Sequence, residues 1–279
     1  MQLRPKSILV AVDVADPAVN ALKAAVVMAQ TVGGALELVS VVNPGVPALY
    51  GGEGLMLLRD DMKEYKAWAQ GRLTKLAAGI RALPVATRIL EGAPEAALAK
   101  LASSGRYGLV VLGTHGYTGV RRVVFGSVAE AVVRNAAVPV LTLPPRSRFD
   151  GPKRIFVPFN MAPYASRALR LGVSLAEDFD GQVSAVFVAD QPEEAVKARL
   201  FEASMRRAAG EWADRVRGVV RIGDPVRTII DEAESGRHDL LVLAAHRKSF
   251  WKDMLLGTTA ERVLRHCPIP VLAVPSGLR

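Results

Sequence analysis

The chain has a single cysteine, Cys267, among 279 residues, and only 6% of its residues are aromatic. One thiol excludes an internal disulfide and a metal centre built on several cysteines, so the cytoplasm is the expected compartment. Cys267 precedes Pro268 in apolar surroundings and is expected to be a small buried residue. No stretch reaches the roughly 18 uncharged apolar residues that a membrane span needs. Met1-Gln2-Leu3-Arg4-Pro5-Lys6 leads straight into a strand-like segment without the apolar core of a secretory signal. A soluble protein with no membrane partner is expected. Dense basic runs are also missing: the net charge of +9 is scattered, and few aromatics lie among the arginines. A nucleic-acid surface concentrates both on one face, so a solvated basic surface is the favoured reading and polyanion attraction the lesser one.

What the chain does have is a long internal duplication. Lys6-Ser7-Ile8-Leu9-Val10 returns as Lys153-Arg154-Ile155-Phe156-Val157, and Ala21-Leu22 as Ala168-Leu169, both at an offset of 147. Farther on the offset falls to 131: Gly92-Ala93-Pro94 matches Gly223-Asp224-Pro225, and Val138-Pro139-Val140-Leu141 matches Ile269-Pro270-Val271-Leu272. The second copy has therefore lost a segment between the counterparts of Asn43 and Gly92. A period this long implies two whole domains, not a solenoid. The boundary is placed at 147/148, inside Pro144-Pro145-Arg146-Ser147-Arg148-Phe149-Asp150-Gly151-Pro152, which reads as a short, stiff linker.

Each half alternates short β-branched runs with helical periodicity, the pattern of an α/β domain with a doubly wound, five-stranded parallel sheet. Strands are expected at Ser7 to Asp13, Leu36 to Val42, Val85 to Glu91, Leu109 to Gly113 and Val140 to Leu143. Helices are expected from Pro17 to Val32, with Leu22, Ala25, Val26 and Ala29 on one face, and from Leu55 to Ala78. In the second of these, Met62, Tyr65, Trp68, Leu73 and Leu76 are read as core or interface. Pro94 suits a first helical turn, and Asp224 suits an N-cap. In such a sheet a ligand crevice lies beyond the carboxyl ends of the strands, where Asp13 and Gly113 fall.

The second chemical signal is a glycine loop, Gly113-Thr114-His115-Gly116, followed after nine residues by Gly126-Ser127. Without a Cβ, Gly113 and Gly116 can adopt positive φ and let backbone N–H groups approach an anion closely. Gly126-Ser127 opens a helix whose free amides, with the Ser127 hydroxyl, favour phosphate oxygens. Ser127-Val128-Ala129-Glu130 also has the form of a capping box, as does Thr258-Thr259-Ala260-Glu261. The duplication supplies a control: Gly113 becomes Ala244 and Gly116 becomes Arg247, while Gly257-Thr258 keeps the last pair. Asp13 suits the hydroxyls of a ribose or a local cap, and its counterpart is Asn160. His115 and His246 match each other but have no companion acid, nucleophile or metal cluster, and are read as loop histidines. Arg121 and Arg122 in the spacer are read as solvated.

Over nearly its full length the chain resembles a tandem universal stress protein. The resemblance rests on the Gly-x2-Gly-x9-Gly-Ser signature, on Asp13 and on the terminal Val138-Pro139-Val140-Leu141 segment. It implies an ATP-binding first domain. In it Asp13 meets the ribose, Val41 offers backbone groups to adenine, and Gly113, Gly116, Gly126 and Ser127 hold the phosphates, with Val12, Thr114 and Val128 lining the pocket. The second half resembles the branch that keeps the fold without the complete loop, Arg247 being able to fill the phosphate space. The family also pairs domains through the last strand, here Pro139 to Leu143 and Pro270 to Val274. That predicts an intramolecular pseudo-dimer, or a homodimer of chains. Two functions stay open: a nucleotide-dependent stress-response regulator with an unknown protein partner, or an enzyme that hydrolyses ATP or transfers its phosphoryl or adenylyl group with Mg2+ or Mn2+. A nucleotide-free scaffold is a third possibility.

Overall fold

The computed structural model describes residues 3, 5–15, 19–44, 62–114, 125–145, 147–189, 198–245, 247–250, 253–256 and 258–277, with no side-chain description at 198, 247–250, 253–256 and 258. The first half runs β1 (Ser7–Ala11), α1 (Val19–Val32), β2 (Ala35–Val42), α2 (Met62–Ala78), β3 (Val85–Glu91), α3 (Pro94–Ala102), β4 (Leu109–Gly113), α4 (Ser127–Asn135) and β5 (Val140–Leu143). The second begins with β6 (Arg154–Pro158), α5 (Pro163–Asp178), β7 (Gln182–Ala189), α6 (Ala198–Ala209) and a 3-10 helix, Gly210–Arg215. It continues through β8 (Val216–Ile222), α7 (Pro225–Glu234) and β9 (Leu240–Ala245) to a hairpin, β10 (Arg247–Phe250) and β11 (Asp253–Leu256), and ends with α8 (Thr258–His266) and β12 (Val271–Pro275). Sequence reading takes the segment before α8 as a loop and misses that hairpin.

All strands but the hairpin form one ten-stranded sheet in the order β3-β2-β1-β4-β5-β12-β9-β6-β7-β8. Pairing is parallel within each half and antiparallel at the seam, where Leu272 faces Leu141 and Ala273 faces Val140. The last strands of the two halves thus pair inside one chain. Two apolar layers cover the sheet. One joins α1, α2, α5 and α6 to residues such as Ile8, Leu141, Ile155 and Leu272; the other joins α3, α4, α7 and α8 to Leu9, Val140, Phe156 and Ala273. Both layers run across the seam, so the halves share their core.

The sheet-facing side of α1 is Ala21, Ala24, Ala25, Met28, Ala29 and Val32, turned slightly from the expected face, with Leu22 and Val26 at its margin. Small side chains let this helix lie close to the sheet. In α2, Leu73 and Ala69 are buried, while Met62, Tyr65, Trp68 and Leu76 pack at the core edge. Tyr65 and Trp68 stack at 5.5 Å. Positions 17, 18 and 55–61 of the two expected helices lie outside the described residues.

The linker is pinned on both sides. The Pro144 carbonyl accepts from Asn20 Nδ2 at 2.6 Å and from Ser147 Oγ at 2.7 Å, and Phe149 is buried. Matching turns follow β3 and β8, where Gly92 has φ 122° and Gly223 φ 145°, values a side chain would strain. Pro94 then starts α3, and the Asp224 carboxylate caps α7 by accepting from Arg227 N at 2.8 Å.

Buried charge is handled differently in the two halves. In the first, Glu37 on β2 is met by Arg88 Nε at 2.7 Å and by the Tyr107 hydroxyl at 2.7 Å. Burial and that bond push the Tyr107 phenol up to about 12. In the second, the acid is Glu232 on α7, met by His238 Nε2 at 3.2 Å, Arg221 at 3.3 Å and Arg237 at 3.2 Å. Burial alone would raise its carboxyl; the His238 bond and the two arginines outweigh this and hold it below its ordinary value of 4.5. A depressed carboxyl stabilises the fold above the unfolded value, and that contribution disappears as pH falls through the folded one. Glu232→Gln is expected to cost about 1–3 kcal/mol at neutral pH, and to flatten the stability profile of acid titrations below the ordinary carboxyl range. Chemical denaturation across pH checks both.

Cys267 is buried, its thiol 3.6 Å from the Ile269 carbonyl, and burial pushes its pKa up to about 12. No helix of the described residues is long and apolar enough to cross a membrane.

Candidate nucleotide crevice and its second-half counterpart

The carboxyl ends of β1 and β4 lie side by side, and the chain leaves them towards opposite faces of the sheet, which opens a crevice between them. Val12 continues β1 by donating its N–H to Val39 O at 2.8 Å. Asp13 then turns the chain: its Oδ1 accepts from Ala15 N at 2.9 Å, so the local-cap reading of this side chain is realised. Asp13 is exposed and Val41, on β2, is half-buried.

Gly113 is the last residue of β4, paired with Leu143, and is not among the glycines of positive φ. Gly113 therefore makes no use of the positive φ open to a glycine: strand pairing fixes it as extended. Thr114 is buried; its N–H donates to Leu143 O at 3.0 Å and its carbonyl accepts from Gly126 N at 2.9 Å. This last bond ties the end of β4 to the start of α4. Gly126 is extended, with φ −68° and ψ 153°, a conformation any residue adopts. Proximity is what demands glycine there, because a Cβ would sit 2.9 Å from the Thr114 carbonyl oxygen.

Gly126 is the N-cap of α4. Ser127 is already helical, so the expected capping box does not form: the Ser127 hydroxyl donates instead to Glu95 Oε1 at 2.8 Å, and Glu130 turns to Arg134 and, at 3.4 Å, to Arg265 of α8. In α8, Glu261 likewise meets Arg265, at 3.1 Å. Among the described residues no side chain caps the first amides of α4, which leaves them open to an anion at this end of the sheet. Val128 is half-buried against the adjoining core. The structure brings Val12, Asp13, Gly113, Thr114, Gly126, Ser127 and Val128 to one end of the sheet. Gly116, His115, Arg121 and Arg122 lie outside the described residues, as does His246. Sequence reading misses Glu95, which it takes only as part of a helix start; the only available hint is an acid in the first turn of a helix whose N-terminus points the same way as that of α4.

At the same place in the second half, Asn160 repeats the Asp13 turn, accepting from Ala162 N at 3.2 Å, and its amide donates to the Tyr164 hydroxyl at 2.8 Å. A cavity of about 320 Å³ lies here, lined by Phe159, Asn160, Tyr164, Val188, Leu243 and Ala244 among others. Phe159, Val188 and Ala244 stand at the counterparts of Val12, Val41 and Gly113. The pocket survives in mostly apolar form. Among the described residues no cluster of His, Cys, Asp or Glu could hold a metal ion.

A family model described as the Universal stress protein family matches residues 5–144 and again 151–275. Universal stress protein MJ0531 of Methanocaldococcus jannaschii is 32% identical over 141 residues, covering 44% of this chain and 83% of that protein. The crystal structure of a universal stress protein from Archaeoglobus fulgidus covers 98% of this chain and 99% of its own, at 19% identity and a TM-score of 0.76. A functionally unknown protein of Pseudomonas aeruginosa, PA1789, covers 98% of this chain and 93% of its own, at 18% identity and a TM-score of 0.66. These two likenesses show the fold.

Proposed function

The chain belongs to the universal stress protein family, and on that premise we propose that it is a cytoplasmic stress-response regulator that holds one ATP per chain, in its first domain (residues 1–147). The observation that carries this reading is the start of α4 at the crevice, without a side-chain cap among the described residues, anchored by the Gly126 N–H to Thr114 and accompanied by Asp13 and Ser127 at the same end of the sheet. Backbone amides there take the phosphates, Asp13 the ribose and the backbone of Val41 the adenine; Gly113 and Gly116 keep the loop close to the phosphates. To engage phosphate, Ser127 exchanges its bond to Glu95. The Glu95 carboxylate and the phosphates are then like charges near each other, a repulsion that a Mg2+ or Mn2+ ion carried by the nucleotide would offset.

The second domain (residues 148–279) keeps a crevice whose loop has alanine and arginine where the first has glycines, which opposes close approach of a triphosphate. ATP occupancy of one half then shifts the arrangement that partners meet, as differential affinity requires. Calorimetry on nucleotide-free protein is expected to give one ATP equivalent per chain; two equivalents, or none, would overturn the reading.

A further inference from the structure

We propose that the second half carries a separate binding groove for a small multivalent anion, at the amino ends of β6, β7 and β8, beyond the seam from the nucleotide crevice but at the same end of the sheet. The cavity has a volume of about 710 Å³, within the usual range for small-molecule sites. Its floor is Gln182 and Ser184 of β7 with Arg217, Val219 and Arg221 of β8, and its rim includes Arg154, Arg215 and Arg237. Five arginines face three carboxylates there, those of Asp180, Asp214 and Glu232.

Those carboxylates are largely engaged. Glu232 is shared by Arg221, Arg237 and His238, and Asp214 is held from outside the groove by Arg206 at 3.3 Å. Arg154 pairs with Asp239 at 3.5 Å, and the Arg215 guanidinium lies over Trp212 at 5.1 Å. The Arg217 guanidinium has no ion pair or hydrogen bond among the described residues. A cavity with surplus guanidinium groups, each able to present paired N–H donors, suits phosphate or carboxylate groups.

In the first half the corresponding place is filled by the protein's own side chains. There Glu37 occupies the counterpart of Ser184, and Arg88 and Tyr107 close over it. The counterparts of Arg217 and Arg221 are the uncharged Ala86 and Leu90. In the second half the acid has left the sheet and a serine has taken its place; Arg88 has given way to Val219, and arginines stand at the positions on either side of it, Arg217 and Arg221. Ser184 and Arg217 are direct neighbours in the parallel pair β7–β8. The groove stands whether or not the crevice of the first half binds ATP.

The test is calorimetry at low salt with the full chain, using inorganic pyrophosphate and, separately, citrate as probes. Wild-type protein is expected to bind at least one of them saturably. Binding of both would show that charge alone selects, and binding of pyrophosphate alone would show selection for phosphate; either supports the groove. Ser184→Glu, which restores a carboxylate beside Arg217, and Arg217→Glu are each expected to weaken that binding at least about tenfold, with ATP titrations unchanged. Arg227→Ala, on the exposed face of α7 outside the groove, is expected to leave it intact. Absence of saturable binding to wild type, or binding whose stoichiometry and affinity are unchanged in both Ser184→Glu and Arg217→Glu, would overturn the proposal.

Discussion

Leu141→Ala and Leu272→Ala are each expected to destabilise the whole chain by about 2–5 kcal/mol, the range for emptying a buried leucine site. Both side chains are about 1% exposed, and they face each other across the antiparallel seam. Each truncation removes apolar contacts and leaves a void that close-packed surroundings fill only in part. Because the two voids adjoin, the double variant is expected to depart from additivity by about 0.5–3 kcal/mol. Urea unfolding followed by two probes, one in each half, measures this. A single shared transition with a non-additive cycle is expected; strict additivity, or halves that melt separately, would show that the seam does not join the two cores.

Gly126→Ala is expected to weaken ATP binding by about 10–100-fold, equivalent to about 1.4–2.8 kcal/mol, and to cost about 1–3 kcal/mol of stability through overpacking. The dihedral angles at Gly126 suit alanine, so the effect comes from contact alone. The added methyl would stand 2.9 Å from the Thr114 carbonyl oxygen, which already accepts the Gly126 N–H at 2.9 Å. Relief requires α4 to withdraw from the end of β4, and the helix amides move with it. Calorimetry and thermal unfolding of the variant separate the two losses. Unchanged affinity would mean that the start of α4 does not hold the nucleotide.

The central strands were legible because buried parallel strands are near-continuous apolar runs, and Leu109–Gly113 and Val140–Leu143 occur where the runs do. The duplicated Val-Pro-Val-Leu segment likewise pointed to the strands that pair at the seam. Contacts between elements distant in sequence were not legible. The bond from Ser127 to Glu95 spans 32 residues and depends on how α3 lies beside α4. The capping box was misread because its four-residue pattern fits a helix starting one residue later than α4 does, and tertiary contact to Thr114 fixed Gly126 as the cap. The hairpin β10–β11 was missed because its short strands lack a clear apolar alternation.

Pairing β5 with β12 inside one chain uses up the strand by which a single-domain relative could recruit a second copy. The outermost strands of the finished sheet are β3 and β8. These carry Arg88 and Glu91 on one border and Arg217 and Arg221 on the other. Charged borders discourage strand-to-strand growth. Any association between copies is expected to avoid these borders and to use surfaces where its strength can vary without lengthening the sheet.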